Sequence, residues 1–480
     1  MPANPSRKQR AVFVCADCGH EHPKWAGRCA GCGAWNTLRE FTPPAAGSGH
    51  PARPLSAPGT GPVPLAHVPA EGGERFSLGM PEVDRLLGGG VVSGGVLLMA
   101  GEPGVGKSTL LLQVAARVAA AGRRVLYVSG EESGAQVRLR ARRLGVEDSG
   151  LLFLAETDAE AVLAALEDAR PSLAIVDSIQ TLVSAGVPST AGSVAQVREC
   201  AQLLLAWAKR SNCALFLTGH VTKDGQIGGP RVLEHMVDVV LSLDGAALGG
   251  YRLARCVKNR YGSTNDVALL EMGPDGLSEV ADPSAALIGE RQAGVPGSAV
   301  VVSLEGSRPL LCEVQALTTY STFTPPRRSA NGLDFNRMAL LAAVLTRRAG
   351  VALSNQDIMV NVPGGLHVSE PAADLGTALA IASSFRDVAL DARTVCIGEV
   401  GLNGEVRRVP QLSRRLAEAA RHGFKRALVP AADLEGLSGG GLEALGVSSL
   451  REAIGFALPG GAGAEGPPYA SEAGNGRSRR

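Results

Sequence analysis

The chain has 480 residues, a formal net charge of +1 and a hydrophobic content of 45%. This length predicts roughly two or three domains, and the balanced charge excludes a grossly basic protein, so any nucleic-acid surface must be local. No stretch has the apolar length of a membrane span, and the polar start of the chain lacks the apolar core of a signal peptide. We therefore expect a cytoplasmic protein without a membrane partner.

The start of the chain carries a cluster of cysteines. Four of the nine cysteines form two Cys-x-x-Cys pairs, which are Cys15, Cys18, Cys29 and Cys32. In a cytosolic chain this spacing indicates a metal rather than disulfides, and four thiolates close a tetrahedral structural site for Zn²⁺. An iron–sulfur cluster is the alternative, but the short spacing favours zinc, and a complete Cys₄ set needs neither His20 nor His22. We predict a zinc ribbon-like unit over residues 1–40 whose folding depends on the metal.

Residues 41–70 are rich in Pro, Gly and Ala and lack periodicity, which predicts a flexible linker. From residue 71 to residue 280, short apolar runs alternate with helical patterns. The apolar runs are Val96–Ala100, Val125–Val128, Leu173–Val176, Ala214–Leu217 and Val237–Leu243. This alternation is typical of βαβ units, so we predict an α/β domain with a mostly parallel sheet over residues 71–280.

The most specific motif of this domain is a phosphate-binding loop after the first apolar run. It matches G-x-x-x-x-G-K-[ST] and comprises Gly101, Glu102, Pro103, Gly104, Val105, Gly106, Lys107 and Ser108, with Thr109 after it. Backbone N–H groups of such a loop surround a phosphate, its lysine reaches the β- and γ-phosphates, and its hydroxyl ligates Mg²⁺. A helical pattern follows the loop, so the positive end of a helix faces the phosphates. The sequence therefore predicts an ATP and Mg²⁺ site.

Acidic residues after two further apolar runs indicate a hydrolytic site. Asp177 follows the run Leu173–Val176, where it would hold the Mg²⁺ shell. Glu131 and Glu132 follow the run Val125–Val128, and hydrolysis needs a group that orients the attacking water. We favour Glu131 as this base, with Glu132 as the alternative, and either could instead cap the next helix.

A polar strand end and a glycine-rich loop come next. Thr218 and His220 are candidates to sense the γ-phosphate. The following segment, residues 221–231, carries Lys223 and Arg231, which would contact DNA phosphates without reading the base sequence. A solvent-exposed loop without DNA contact has the same composition, so both interpretations stay open.

A second α/β segment is predicted over residues 286–458, and the Gly-, Ala- and Ser-rich residues 459–480 predict a disordered tail. Its candidate strands include Ser298–Leu304 and Thr394–Ile397, and its candidate helices include Arg337–Arg348 and Ala373–Phe385. No internal repeat of short period is evident along the chain.

The run Lys258-Asn259-Arg260-Tyr261-Gly262 resembles the K-N-R-F-G signature of the bacterial RadA (Sms) family of DNA-repair proteins. The order of parts also resembles this family: a Cys₄ zinc unit, a RecA-like P-loop ATPase and a C-terminal α+β domain similar to the Lon protease. The resemblance implies a DNA-dependent ATPase motor of homologous recombination, which acts with RecA filaments on single-stranded and branched DNA and promotes branch migration. It also implies a homo-oligomer, expected to be a hexameric ring, in which Lys258 and Arg260 reach the nucleotide of the neighbouring subunit. A basic strand end that contacts DNA or solvent is the alternative for these two residues.

The C-terminal segment resembles the Lon protease around its catalytic residues, but both catalytic positions differ. Asp374 holds the position of the nucleophilic serine, and Ser413 holds the position of the catalytic lysine. A Ser–Lys dyad needs a hydroxyl nucleophile and an amine base, so we expect no peptidase activity and a role as ring scaffold. The arginines of this segment offer either a DNA contact or a solvated helix face, and they are Arg407, Arg408, Arg414 and Arg415.

Two other function classes stay open. The missing dyad argues against an ATP-dependent protease that uses the zinc unit for substrate recognition. The signature at Lys258 and the zinc unit argue against a RecA-like regulatory ATPase that does not translocate. A response of ATP hydrolysis to DNA would separate the motor from this regulatory switch.

Overall fold

The computed structural model describes residues 12–15, 21–22, 24–30, 33, 35–36, 38–41, 74–220, 232–245, 250–434 and 441–458. The predicted linker from residue 42 onward, the predicted DNA loop 221–231 and the predicted tail 459–480 lie outside these residues. The chain forms two compact units, and the division in sequence falls between Ala281 and Asp282. Among the helices of the described residues, none combines the length and apolar character needed to cross a membrane.

The cysteine-rich segment forms a small antiparallel sheet. Its strands are β1 (Val12–Cys15), β2 (Glu21–His22) and β3 (Leu38–Phe41), in the order β2-β1-β3. The buried core here consists of Cys29 and Leu38, with Phe13 and Ala26 packed against it. So small a core buries little apolar surface, which fits a unit that depends on a bound metal for its stability.

The first unit is built on a nine-stranded sheet in the order β14-β13-β12-β11-β6-β10-β9-β7-β8. Its strands, with the small β4–β5 pair beside them, are β4 (Arg75–Phe76), β5 (Val91–Val92), β6 (Val96–Gly101), β7 (Val125–Ser129), β8 (Leu152–Ala155), β9 (Leu173–Asp177), β10 (Ala214–His220), β11 (Val239–Gly245), β12 (Tyr251–Asn259), β13 (Val267–Gly273) and β14 (Gly276–Glu279). All neighbours from β11 to β8 are parallel, so the predicted mostly parallel sheet is confirmed.

Helices cover both faces of this sheet. They are α1 (Pro81–Leu86), α2 (Lys107–Ala120), α3 (Gly134–Arg143), α4 (Ala159–Ala169), α5 (Val194–Ser211) and α6 (Val232–Met236). Alternate residues of β6 point to opposite faces: Leu97 packs in the core that contains α2, and Leu98 packs in the core that contains α5. A strand buried on both faces reads as a continuous apolar run, which is why the sequence located β6, β7, β9, β10 and β11. The mostly exposed edge strand β8 was not predicted.

The strands β12, β13 and β14 extend the sheet antiparallel beyond β11, and the sequence pattern did not predict them. In β12, buried residues such as Leu253 and Cys256 are interleaved with partly exposed ones. Such a half-buried strand lacks the apolar run that identified the parallel strands. This antiparallel return brings the signature Lys258–Gly262 back beside the start of β11.

The second unit contains a seven-stranded sheet in the order β17-β18-β16-β15-β19-β22-β23. Its strands, with the separate β20–β21 pair, are β15 (Ser298–Glu305), β16 (Arg308–Tyr320), β17 (Arg328–Asn331), β18 (Gln356–Asn361), β19 (Thr394–Cys396), β20 (Glu399–Val400), β21 (Val406–Arg407), β22 (Arg426–Pro430) and β23 (Glu443–Val447). Its helices are α7 (Pro283–Ile288), α8 (Phe335–Val344), α9 (Asp374–Arg386), α10 (Leu412–Arg421) and α11 (Leu450–Ala457). The mixture of parallel and antiparallel pairs agrees with the predicted α+β class.

The helix predicted at Arg337–Arg348 begins two residues earlier and ends differently. The Asp334 side chain accepts a hydrogen bond from the backbone N–H of Arg337 at 2.7 Å, so the helix begins at Phe335. Its last turn, Leu345–Ala349, widens into a π-helix and stops at Gly350, which takes a left-handed conformation. Capping chemistry explains both limits better than the apolar period does.

One of the arginines expected on a solvated or DNA-contacting helix face is instead buried in the second unit. The Arg415 side chain is 0% exposed and forms an ion pair with Glu370, with Nη1 donating to Oε2 at 2.8 Å. The same Nη1 donates to the Val302 carbonyl at 2.6 Å, and Nε donates to the Pro410 carbonyl at 3.0 Å. A DNA contact by Arg415 is therefore wrong, because its guanidinium is fully used inside the fold.

This buried pair predicts a large, local loss of stability in Arg415→Met. Removing one partner leaves the Glu370 carboxylate half-buried without its cation, which typically costs about 3–5 kcal/mol. Amide hydrogen exchange of α9 and α10 should show that loss. The control is Arg414→Met, the exposed neighbour on the same helix, for which we expect a change within about 0.5 kcal/mol. Equal protection in the two variants would contradict the structural role of the pair.

Candidate nucleotide site

The phosphate-binding loop lies between the end of β6 at Gly101 and the start of α2 at Lys107. A Cβ atom on Gly101 would lie 2.5 Å from the Leu243 carbonyl oxygen of the adjacent strand β11. A Cβ on Gly106 would lie 2.7 Å from the Met272 side chain, and Gly106 takes a left-handed φ of +117°. Glycine is therefore required at both positions, and the bare backbone of the loop is free to approach a phosphate.

Lys107 is a buried cation that faces two carboxylates. Its Nζ donates to the carbonyl oxygens of Gly101 at 2.9 Å and Glu102 at 3.0 Å. Burial lowers the pKa of Lys107, while the charges of Asp177 and Glu131 oppose that shift. Lys107 follows β6, Glu131 follows β7 and Asp177 ends β9, so all three lie at the end of the sheet where the parallel strands end.

Two hydroxyl groups hold Asp177, which is only 7% exposed. The Tyr127 hydroxyl donates to Oδ2 at 2.6 Å, and the Thr218 hydroxyl donates to Oδ1 at 2.7 Å. Burial, followed by the charge of Asp177, raises the pKa of Tyr127 well above its ordinary value, so the tyrosine stays a proton donor. Thr218, which the sequence suggested as a γ-phosphate sensor, instead orients this carboxylate, and the His220 side chain lies outside the described residues.

Sequence reasoning missed Tyr127, which is the only polar-tipped aromatic residue of the run Val125–Val128. A hydroxyl inside an apolar strand must find a partner when it is buried. That rule, applied to a strand adjacent to one that ends in an aspartate, is the signal that could have found it. The β7–β9 register places Ser129 opposite Asp177, two residues beyond Tyr127.

The structure separates the two glutamates that follow β7. The Ser178 hydroxyl donates to Glu131 Oε1 at 2.5 Å, so Glu131 lies beside the end of β9. Glu132 Oε1 forms an ion pair with Arg140 Nη2 at 2.5 Å, so it points toward α3, the helix that follows it. Gly130 allows this chain path, because a Cβ there would overlap the Thr181 side chain.

The signature residues Lys258–Gly262 lie near the opposite end of the strands from the phosphate-binding loop. Val239 of β11 pairs with both Asn259 and Leu97, whereas Leu243 pairs with Gly101. Four residues of strand separate the two levels, which is roughly 13 Å along the sheet. Within one chain, the structure therefore does not bring Lys258 and Arg260 to the phosphate-binding loop.

Both signature cations have partners inside their own chain. Lys258 Nζ donates to the carbonyl oxygens of Glu234 at 2.6 Å and Val237 at 2.8 Å, so it caps the end of α6. Burial, together with the charge of Arg260, lowers the pKa of Lys258. Arg260 Nη1 lies 3.3 Å from Asp238 Oδ1, and the arginine side chain stays 57% exposed.

A different arginine, which the sequence did not single out, contacts the phosphate-binding loop from within the same chain. Arg252 of β12 donates from Nε to the Val105 carbonyl oxygen at 3.0 Å. It lies at the end of β12 remote from the signature, beside Gly245. Its position follows from the antiparallel return of β12, which local sequence patterns do not reveal.

Several predicted site residues lie wholly or partly outside the described residues. Of the four proposed zinc ligands, only Cys29 has a described side chain, and it is 2% exposed. Its Sγ lies 3.5 Å from Nε2 of buried His22. A soft sulfur ligand beside an imidazole suits Zn²⁺. The backbone of Cys15 ends β1, whereas Cys18, Cys32, Lys223 and Arg231 are not described.

The position that resembles the Lon nucleophile is locked by an ion pair. Asp374 begins α9 and pairs with Arg337, whose Nε donates to Oδ1 at 2.8 Å. The backbone N–H of Val400 donates to the other carboxylate oxygen at 3.0 Å. Burial raises the pKa of Asp374, and the hydrogen bonds from Arg337 and Val400 oppose that shift only in part. Ser413 is exposed on α10.

Family models match three stretches of the chain. An AAA domain model matches residues 65–226, a rubredoxin metal binding domain model matches residues 13–40, and the model of subunit ChlI of Mg-chelatase matches residues 335–433. The matches fall on the segments predicted as ATPase, zinc ribbon-like unit and C-terminal α+β domain, and that predicted fold class is confirmed.

Curated relatives resemble the chain along almost its whole length. The protein named DNA repair protein RadA of Bacillus subtilis is 46% identical over 94% of this chain and 100% of its own length. Proteins of the same name from Halalkalibacterium halodurans and Pseudomonas aeruginosa are 48% and 47% identical, each over 93% of this chain and 98% of its own length. A solved KaiC-like protein of Pyrococcus horikoshii is 19% identical, covers 43% of this chain and 99% of its own, and has a TM-score of 0.38.

The geometry of the phosphate-binding loop predicts that Gly101→Ala destabilises the first unit more than Gly104→Ala does. At Gly104 a Cβ meets no atom within 4 Å, so alanine there costs only left-handed backbone strain, about 1–2 kcal/mol. At Gly101 the new Cβ overlaps the Leu243 carbonyl, and hydrogen bonds between β6 and β11 prevent that carbonyl from moving away. Scanning calorimetry without nucleotide measures the two midpoints. Equal midpoints would show that the β11 contact is unimportant.

Proposed function

The chain belongs to the RadA family of DNA repair proteins, and we propose from this premise that it is a DNA-dependent ATPase motor of homologous recombination and repair. It would process recombination intermediates and promote branch migration of strand-exchange products made by RecA. One observation carries the proposal. The candidate hydrolytic residues Lys107, Asp177 and Glu131 lie at one end of the strands, and the signature cations lie at the other end. Each chain then holds two different halves of a site.

The first half binds and hydrolyses ATP within the chain. Backbone N–H groups of the loop 101–109 and the Lys107 amine bind the phosphates, which suits the glycine positions described above. Ser108 and Asp177 would hold Mg²⁺, which supplies positive charge to the phosphate oxygens when it is bound. Tyr127 and Thr218 keep the Asp177 carboxylate in a fixed orientation, as outer-shell hydrogen bonds do at metal sites.

Glu131 is the better candidate for the base that orients the attacking water. Its carboxylate lies beside Ser178 at the edge where Lys107 and Asp177 meet. Glu132 is engaged with Arg140 and turned along α3. A base must come within hydrogen-bond reach of the water, and this geometry favours Glu131.

The two glutamates predict different outcomes for matched amide substitutions. Glu131→Gln should lower the rate of ATP hydrolysis about 10²–10⁴-fold, because it removes the base, and should leave nucleotide binding near the level of the unmodified protein. Glu132→Gln should keep most of the hydrolysis, because it weakens only the contact with Arg140. Steady-state hydrolysis and the binding of a fluorescent nucleotide measure the two effects. The reverse pattern would assign the base to Glu132.

The second half of the site acts on the neighbouring subunit. Arg260 and Lys258 lie too far from the phosphate-binding loop of their own chain, so a homo-oligomer, proposed as a hexameric ring, would bring them to the next nucleotide. An arginine supplied in trans stabilises transition-state charge and raises rates by about 10³–10⁵ in known cases. Hydrolysis then depends on contact between subunits.

The remaining parts serve DNA and assembly in this proposal. Lys223 and Arg231 would contact single-stranded or branched DNA through its phosphates. The four cysteines of the zinc ribbon-like unit would hold one Zn²⁺ ion. The second unit acts as a scaffold of the ring rather than as a peptidase, because Asp374 is bound to Arg337 and offers no hydroxyl nucleophile.

The proposal predicts that single-stranded and branched DNA stimulate ATP hydrolysis and that Arg260→Ala abolishes this stimulation. Nucleotide binding should survive, since Arg260 lies far from its own loop. Arg210→Ala is a matched control, because Arg210 is 53% exposed and also has one carboxylate partner, Glu167. Hydrolysis is measured with and without each DNA, beside a protein-degradation assay.

Three results would change the proposal. Hydrolysis that ignores DNA would favour the regulatory switch. Degradation of an unfolded protein would favour the protease. Full DNA-stimulated turnover in Arg260→Ala would remove the trans role while leaving the ATPase itself intact.

A further inference from the structure

Asp238 is a buried carboxylate that lies between the helix α6 and the strand β11. Its Oδ2 accepts hydrogen bonds from the backbone N–H of Val96 at 3.0 Å and from Lys209 Nζ. Its Oδ1 lies 3.3 Å from Arg260 Nη1. One side chain thus joins the start of β6, the helix α5 and the end of β12.

The backbone of Asp238 makes two of the same three connections, to the start of β6 and to Arg260. Its N–H donates to the Val96 carbonyl at 2.9 Å, and its own carbonyl accepts from the Arg260 N–H at 3.1 Å. Both the side chain and the main chain of Arg260 are therefore tied to one residue. The position of Asp238 is fixed in turn by the first residue of β6.

Lys209, rather than Arg260, is the cation that compensates the buried charge of Asp238. Burial raises the pKa of Asp238, but the hydrogen bonds from Lys209 and Val96 outweigh it, and the pKa lies below its ordinary value. The Asp238 side chain is 5% exposed, whereas the Arg260 side chain is 57% exposed at the longer distance of 3.3 Å. An exposed arginine at that distance adds little stability. The contact orients the guanidinium and leaves its other N–H groups for an anion.

The turn after Arg260 is also held in place. Arg75 Nη2 donates to the Tyr261 carbonyl at 2.6 Å, and the Tyr261 hydroxyl lies 3.3 Å from Lys209 Nζ. The backbone on both sides of Arg260 is therefore anchored while its side chain projects outward. Such support by a surrounding shell is what a catalytic group needs to act without reorganisation.

We propose that Asp238 is the positioning residue that presents Arg260 to the nucleotide of the neighbouring subunit. The inference rests on the trans role of Arg260 proposed above. Strand β6 begins at Val96, which binds Asp238, and ends at Gly101 in the phosphate-binding loop. One rigid strand then links the nucleotide site of a chain to the arginine that it offers to the next chain.

The test measures ATP hydrolysis by the full-length protein in the presence of DNA. It mixes subunits of two variants that lose activity for different reasons. Asp238→Asn should lower kcat by about 100-fold with unchanged nucleotide affinity, since a misplacement of about 1 Å can cost that much. Lys107→Ala subunits lack the phosphate-binding lysine but keep Asp238 and Arg260. In an equal mixture of Asp238→Asn and Lys107→Ala subunits, on the order of a quarter of the interfaces pair a loop that has Lys107 with an Arg260 that is held by Asp238. Activity should therefore reappear in the mixture. A defect confined to the folding of the variant would not be rescued in this way.

Further variants separate the inference from its premise. Arg260→Ala mixed with Lys107→Ala must also regain activity, and failure of that mixture would overturn the trans role itself. Asp238→Glu keeps a carboxylate for Lys209, so its midpoint of thermal unfolding should match that of the unmodified protein. Its kcat should lie between those of Asp238→Asn and the unmodified protein. Glu167→Gln, which removes an exposed ion pair with Arg210, is the control expected to change neither quantity.

Two results would overturn the positioning role while the trans role stands. The first is unmodified turnover in both Asp238 variants. The second is a defect in Asp238→Asn that Lys107→Ala subunits do not rescue, although they rescue Arg260→Ala. Rescue of both variants, with nucleotide affinity unchanged, would support the proposal.

Discussion

The burial of strand β6 is the constraint on which both proposed half-sites depend. Its residues pack on both faces of the sheet, and its backbone pairs with β10 on one side and β11 on the other. A shift of register by one residue would turn every buried side chain to the opposite face. The strand therefore cannot slide, and the positions of Val96 and Gly101 relative to β10 and β11 are fixed. Asp238 and the phosphate-binding loop are attached to the two ends of the same rigid element.

The carboxylate of Asp177 in the first unit is held by other kinds of groups than the carboxylates of Asp374 and Glu370 in the second unit. Asp177 accepts hydrogen bonds from the hydroxyls of Tyr127 and Thr218, which are neutral groups and bring no compensating charge. Asp374 and Glu370 in the second unit are each bound by an arginine. A carboxylate that is oriented by hydroxyls keeps its capacity to hold a cation, whereas one bound to a guanidinium has little left to offer. Among these three carboxylates, Asp177 is therefore the one suited to hold a cation.

The sequence predicted the phosphate-binding loop and the buried parallel strands because short runs of neighbouring residues identify both. The glycines around Lys107 and the apolar run before Asp177 required no knowledge of distant residues. Five of the six parallel strands of the first unit were found by their continuous apolar character, whereas the mostly exposed edge strand β8 was not predicted. The antiparallel strand β12 and the partners of Asp238 were not predicted, because they join residues far apart in sequence. Arg415 resembles its exposed neighbour Arg414 in sequence, and only the position of Glu370 distinguishes them. Long-range partners of polar groups are the information that periodicity does not contain.

The signature cations illustrate why a pattern can be recognised before its physical role is understood. Lys258 caps the carbonyl oxygens at the end of α6, which is a structural task within its own chain. Arg260 makes one long contact with Asp238 and remains mostly exposed, so its position is defined while its charge is still available. The two cations therefore differ in what they can give to a neighbouring subunit. Lys258 would have to leave several carbonyl oxygens to reach a phosphate, whereas Arg260 needs only to extend from a backbone that is already held. For this reason Arg260, rather than Lys258, is the residue on which the proposed trans site chiefly depends.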